Sequence, residues 1–230
     1  MSYPPYPGAS EPTGTYGPPP AYYPAPWPTP APTRGLATAA AWIAVLFALF
    51  EIVEAGLAWQ AQGKFLDAVD RGEVLPWTPY DFTFFGWFAV MIAAYVVTCL
   101  WLYRVRTNTD IMSTLRHARS PGWVWGGWVV PIVSLWFPYQ IVRDVSRDER
   151  GFPVVSRIGT WWTLWLLSLF VERIGLRIVN VQSEVDPNAY EGLGIVETLN
   201  AVLVLVALFF WIRIIRGITA HQDRLMGITS

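Results

Sequence analysis

Four stretches of this chain are apolar enough, and long enough, to settle its fold class first. They run over residues 36–60, 82–103, 155–178 and 193–215. Each reaches the roughly 20 residues a helix needs to cross a hydrocarbon core of about 30 Å. Lipid offers no partner to a free backbone N–H or C=O, so spanning segments of this kind satisfy their hydrogen bonds internally, as helices. The expected fold is therefore all-α: a polytopic helical membrane protein. Composition agrees, since 14% of residues are charged, against about 25% in an average soluble domain.

A fifth stretch, SPGWVWGGWVVPIVSLWFPYQIVR over residues 120–143, is harder to place. Ser120 followed by Pro121 is a good helix start, a hydroxyl cap and then proline at the first helical position. Pro131 then removes a backbone donor and crowds the carbonyl of Gly127 four residues back. Gly126 and Gly127 ease the break, and Pro138 interrupts the stretch again. The halves WVWGGWVV and PIVSLWFP are each too short to span. One reading is a kinked but complete span. The other is a re-entrant or interfacial segment over residues 121–142, with Trp123, Trp125, Trp128, Trp136 and Tyr139 at headgroup level.

Loop charge favours the second. Cytoplasmic loops carry the excess of Lys and Arg. Arg104, Arg106, Arg116 and Arg119 follow the second apolar stretch, Arg143, Arg147, Arg150 and Arg157 follow the ambiguous one, and Arg213, Arg216 and Arg224 close the chain. The loop at 62–81 has Lys64 and Arg71 against four acids, and that at 179–192 has acids only. If the ambiguous stretch does not cross, every loop falls on its preferred side. This predicts four spanning helices, one Pro-broken re-entrant segment, a multi-pass protein of the cell membrane, and both termini in the cytoplasm.

Residues 1–34 form a separate region, with 12 of the 19 prolines and five of the ten tyrosines. Proline removes donors and fixes φ, so a disordered tail with polyproline II character is expected. It lacks the basic start and short apolar core of a signal peptide. The expected organisation is this Pro/Tyr-rich tail, a helical membrane domain over 35–218, and a short cytoplasmic tail over 219–230. The tail's proline runs suit docking on an aromatic groove of a protein partner or service as a flexible spacer.

Some residues within or beside the apolar stretches are polar. Glu51 lies about 22 Å along the first helix, and Glu172 and Arg173 lie roughly 25 Å along the third, at 1.5 Å per residue. Glu197 falls at the same outer depth on the last helix. Glu51 and Glu54 share a helix face at i, i+3, as do Glu197 and Asn200, and Arg173 and Arg177 are i, i+4. Ionisable groups deep in lipid cost a few kcal/mol or more, so they turn inward and pair. An outer polar cluster follows: Glu51, Glu54, Glu172 and Glu197 around Arg173 and Arg177, with Asn200 beside them. The excess of acids fits a cation or proton site, or an ionic clamp that fixes helix register. At the cytoplasmic end Arg104, Arg106, Asn108 and Arg143 are candidates for lipid headgroup contacts. Orientation alone would also account for the arginines, and Asn108 could instead cap the segment that follows it.

Several chemistries have no support. The net charge of −1 gives nucleic acid no electrostatic footing. The lone Cys99 and two histidines, His117 and His221, assemble no metal cluster and no disulfide framework. No GxSxG, HExxH or phosphate-binding glycine loop is present. No enzyme, cofactor or metal is expected, and oligomeric state is not legible.

The chain resembles a family of actinobacterial membrane proteins catalogued as domain of unknown function 4328. The resemblance rests on an apolar helix ending in LWLYRVRTNTD, then SPGWVWGGWVVPIVSLWFPYQIVRDV with its spaced Trp, Gly and Pro, then a helix bearing Trp161 and Trp162. It covers roughly residue 36 to the C-terminus. One departure is Asp144–Ser146, where the family pattern leads to an acidic residue, an aliphatic and Trp. The resemblance implies location and architecture, and no activity. The expected role is a non-enzymatic interaction or structural component of the bacterial cell membrane. The alternative is a small transporter or channel using the acid-rich outer site.

Overall fold

A computed structural model describes residues 28–183 and 187–228. Six α-helices account for most of them: α1 Arg34–Asp70, α2 Thr83–Met112, α3 Trp123–Val129, α4 Phe137–Val145, α5 Ile158–Ser183 and α6 Leu193–Leu225. Short 3₁₀ turns at Pro79–Phe82, Val133–Leu135 and Pro187–Gly192 join them. No strand occurs among the described residues, only an isolated bridge between Arg147 and Pro153.

The first long helix follows a size rule opposite to that of a soluble bundle. The buried stripe of α1 is built from Ala37, Ala40, Ala48, Ala55, Ala58, Ala61 and Ala68. Its exposed face has Trp42, Leu46, Leu49, Ile52 and Val53. Small residues let backbones approach closely, which is how helices associate where lipid removes the hydrophobic drive. The outward faces of α2 and α6 repeat the pattern, with Phe84, Phe85 and Phe88 on one and Leu199, Val202 and Phe209 on the other. Water around such a girdle would be costly, since soluble monomers rarely expose apolar patches beyond a few hundred Å². Three helical stretches, Arg34–Asp70, Pro79–Met112 and Ala189–Leu225, are long and apolar enough to cross a membrane, with peak mean hydropathies of 2.2, 2.0 and 2.3. α5 is not among them, because Trp161, Trp162, Trp165 and the Glu172–Arg173 pair dilute its aliphatic run.

Packing runs α2–α1–α6–α5, with α6 against both α1 and α5. α3 and α4 fill the remaining side between α2 and α5. The hub is a ladder of indoles. Trp211 of α6 stacks on Trp161 of α5 at 4.5 Å and meets Trp101 of α2 edge-on at 5.7 Å. Trp161 touches Trp162 at 5.4 Å, and Trp162 meets Trp128 of α3 at 6.1 Å. These tryptophans tie four helices together. Of the residues expected at headgroup level, Trp123, Trp125, Trp128 and Tyr139 are partly buried against that core, and Trp136 is 40% exposed.

The helices outrun the apolar stretches read from sequence. At 1.5 Å per residue, the 37 residues of α1 extend about 55 Å. Its last turns stay helical because Ala61, Phe65 and Ala68 continue the buried stripe, and Phe65 packs on Tyr190 at 5.1 Å. α2 continues to Met112 through buried Val105, Asn108 and Thr109. α6 continues to Leu225, so most of the expected C-terminal tail is helix.

Residues 120–143 fold back on themselves. α3 and α4 pack against each other. Trp123 meets Phe137 edge-on at 4.7 Å, the Arg119 guanidinium lies 4.0 Å over the same ring, and the Ala118 N–H donates to Asp144 Oδ2 at 3.0 Å. Residue numbers thus rise on one arm as they fall on the other, the register of a hairpin. The reversal is a γ-turn: Val133 N–H donates to Pro131 C=O at 2.8 Å around Ile132, whose φ of 67° and ψ of −59° lie in a strained region. Gly127 lets the arms close, since a Cβ there would sit 3.2 Å from Phe137 Cβ. Gly126 faces only Trp123 of its own helix. Pro138 is no break; it sits in the first turn of α4, where its missing N–H costs nothing. Neighbouring helices supply donors to the hairpin backbone: Tyr95 O–H to Trp125 C=O (3.0 Å), Cys99 S–H to Val124 C=O (3.2 Å) and Trp162 Nε1–H to Leu135 C=O (2.8 Å).

Candidate functional site: an acid layer and a clamp

Four acids gather between α1, α2, α5 and α6. α1 contributes Glu51 and Glu54, one turn apart on one face, α5 contributes Glu172 and α6 contributes Glu197. All four lie within electrostatic reach of one another. Glu51 is buried and accepts from Trp87 Nε1–H at 3.1 Å and from Asn200 Nδ2–H at 2.8 Å. Glu54 accepts from the Thr83 hydroxyl at 2.6 Å. Glu197 is buried and accepts from the Tyr80 hydroxyl at 2.6 Å. Each of these three carboxyls is therefore held by a neutral donor from another helix or turn. Asn200 Oδ1 is left without a partner among the described residues.

The arginines expected at the centre of this layer are elsewhere. Arg173 and Arg177 are exposed, and among the described residues neither forms an ion pair. The reason is angular. Residues i and i+1 are about 100° apart on a helix of 3.6 residues per turn, so Glu172 facing inward turns Arg173 toward the outer face. Three of the four acids are bound by hydroxyl, indole and amide groups, and Arg173 acts on Glu172 only through space. No group of three or more His, Cys, Asp or Glu among the described residues is arranged to hold a metal ion.

Sequence reasoning missed the donors Tyr80, Thr83 and Trp87. Their spacing of i, i+3, i+7 was the available signal, since such residues share a helix face. A capping box explains why that face starts where it does: Asp81 Oδ2 accepts from the Thr78 N–H at 2.6 Å and from its hydroxyl at 2.8 Å.

A second polar assembly lies at the opposite end of the bundle. Asn108 is buried, so it neither caps the following segment nor reaches a headgroup. Its Oδ1 accepts from the Ala31 N–H at 2.9 Å, and its Nδ2 donates to the Ala31 C=O at 2.7 Å and to Gln222 Oε1 at 3.1 Å. Gln222 Nε2 donates in turn to the Val105 C=O at 2.8 Å. The amide thus pairs with both the N–H and the C=O of one residue, as a strand neighbour would. Arg34 Nε adds a 2.6 Å ion pair with Asp223. Of residues 28–33, expected to be part of a disordered tail, Ala31 is fastened to α2 through Asn108; most of that expectation falls on residues 1–27, outside the described residues.

The other expected headgroup contacts divide. Arg104 is exposed on α2. Arg106 is buried and lies 3.5 Å from Asp110, so it faces the protein. Arg143 pairs with Asp144 at 3.0 Å and lies 5.9 Å over the Tyr139 ring.

A family model for DUF4328, a domain of unknown function, matches residues 81–220, more than half of the chain. The chain belongs to the DUF4328 family. No curated protein and no solved structure matches it. The DUF4328 match takes in α2, the hairpin, α5 and most of α6. It therefore includes Thr83, Trp87, Asn108, Glu172, Glu197 and Asn200. Glu51 and Glu54 on α1, Tyr80, and Gln222 and Asp223 of the clamp lie outside it.

Proposed function

We propose that this DUF4328 protein is a non-enzymatic component of the cell membrane that presents its Pro/Tyr-rich N-terminal segment to protein partners at the cytoplasmic face. The reading takes α1, α2, α5 and α6 as four spans, the α3–α4 hairpin as re-entrant, and both termini as cytoplasmic. The observation that carries it is the clamp. Asn108 and Arg34 fasten the root of the segment to the bundle end that bears the arginine-rich loops. A tail fixed at its root projects from a defined place, which lowers the entropy lost when a partner binds. Deleting residues 1–27 while keeping the clamp tests it. The set of proteins crosslinked to the chain in membranes should shrink, and an unchanged set would count against tail docking.

The acid layer favours a second reading, a small transporter or channel. Four acids meet there, no arginine forms an ion pair with any of them among the described residues, and the buried Asn200 Oδ1 has no donor there. Reconstituted protein would then pass H⁺, Na⁺ or K⁺, with a rate altered by Glu51→Gln. Absence of flux for all three ions would remove this reading.

A further inference from the structure

A cleft of about 660 Å³ opens between the first turns of α1 and the last turns of α6, within the roughly 300–1,000 Å³ usual for ligand sites. Its walls are divided by chemistry. Ala41, Trp42 and Val45 of α1 face Ile212 and Ile215 of α6 along the apolar part. Three arginines line the polar part: Arg34, Arg216 and Arg224. Asp223 is the one acid in the lining among the described residues, and it is engaged by Arg34 at 2.6 Å. The cleft is therefore electropositive. Arg216 and Arg224 are exposed and form no ion pair among the described residues.

We propose that this cleft holds one anionic glycerophospholipid, its phosphate against Arg216 and Arg224 and one acyl chain along Trp42, Val45 and Ile212. Guanidinium groups suit phosphate because their fork of N–H donors matches its oxygens. The ion pair with Asp223 fixes Arg34 at the mouth, so Asp223 acts as a positioning residue. The Trp42 ring, 69% exposed, supplies the flat apolar wall an acyl chain needs. None of these residues belongs to the acid layer, and the inference rests only on the chain residing in a membrane.

The test uses the full chain in vesicles of equal phosphatidylglycerol and phosphatidylcholine, followed by native mass spectrometry of the solubilised protein. Wild type should retain a single phosphatidylglycerol in preference to phosphatidylcholine. Removing two arginines as Arg216→Gln with Arg224→Gln should lower that retention roughly tenfold to thirtyfold, at about 1 kcal/mol per side chain. Thr38→Trp, on the cleft wall, should abolish it while leaving both arginines in place. Soluble glycerophosphate should fail to compete, which separates a lipid from a free phosphate. Equal retention of the two lipids, or retention unchanged in both variants, would overturn the proposal. So would a crosslink from position 38 to residues 1–27, which would make the tail the occupant. A chain absent from the membrane fraction would overturn the location as well, a failure distinct from membrane-bound protein without lipid.

Discussion

Asn108 shows how one side chain fixes the direction of a whole segment. Three of its four hydrogen-bonding positions are used, two of them on the N–H and C=O of Ala31. Asn108→Ala leaves the Ala31 and Gln222 groups unmatched, and such losses cost about 1–3 kcal/mol per buried group. The expected outcome is a lower unfolding midpoint in detergent, with rapid hydrogen exchange at the Ala31 amide. Unchanged exchange there would mean the segment is held by something other than the amide. In the acid layer, Glu51 takes two donors from two different helices, so Glu51→Gln and Glu51→Ala should differ. The isosteric amide retains an acceptor; the alanine strands Trp87 and Asn200 and should destabilise by at least about 2 kcal/mol more, read as the gap between their denaturation midpoints.

At the scale of elements, the α3–α4 hairpin makes a prediction whose sign discriminates. Ile132 is β-branched, 71% exposed and held at φ 67°. Its side chain contributes little packing, while its backbone strain is on the order of 1–3 kcal/mol. Ile132→Gly should therefore stabilise the protein by roughly 1 kcal/mol. Were residues 123–145 one kinked helix, the same glycine would destabilise by about 1 kcal/mol. Thermal unfolding of the two chains in one detergent decides between them. Gly127→Leu tests the other side of the same turn: with Phe137 Cβ 3.2 Å from the new Cβ, the arms must separate, at a cost of about 1–3 kcal/mol.

The whole molecule shows which features a sequence discloses. Apolar length and loop charge report on lipid, so membrane character, the existence of the four long helices and the break at Pro131 were legible. Helix ends were not, because residues such as Phe65, Ala68 and Gln222 continue a buried stripe past the apolar run, and only the partner helix reveals that they are covered. The gathering of Glu51, Glu54, Glu172 and Glu197 was legible from depth along each helix. The place of Arg173 was not, because depth says nothing of rotation about the helix axis. The tryptophan ladder was not legible for a related reason: an amphipathic ring suits both an interface and a core, and only the packed helices bring Trp101, Trp211, Trp161, Trp162 and Trp128 together.

The central claim is that the tryptophan-rich hairpin enters and leaves on one side, so that the loops on either side of it share a compartment. Single cysteines in place of Ala118 and Glu149, both exposed, report on those loops once Cys99 is replaced by Ala. Asp148 itself is left in place because it accepts from the Arg150 and Phe152 N–H groups and shapes the turn. In intact cells, a membrane-impermeant maleimide should label neither position, and both should react once the membrane is opened. Labelling of Cys at 149 but not 118 from outside would make residues 120–143 a complete span and contradict the account.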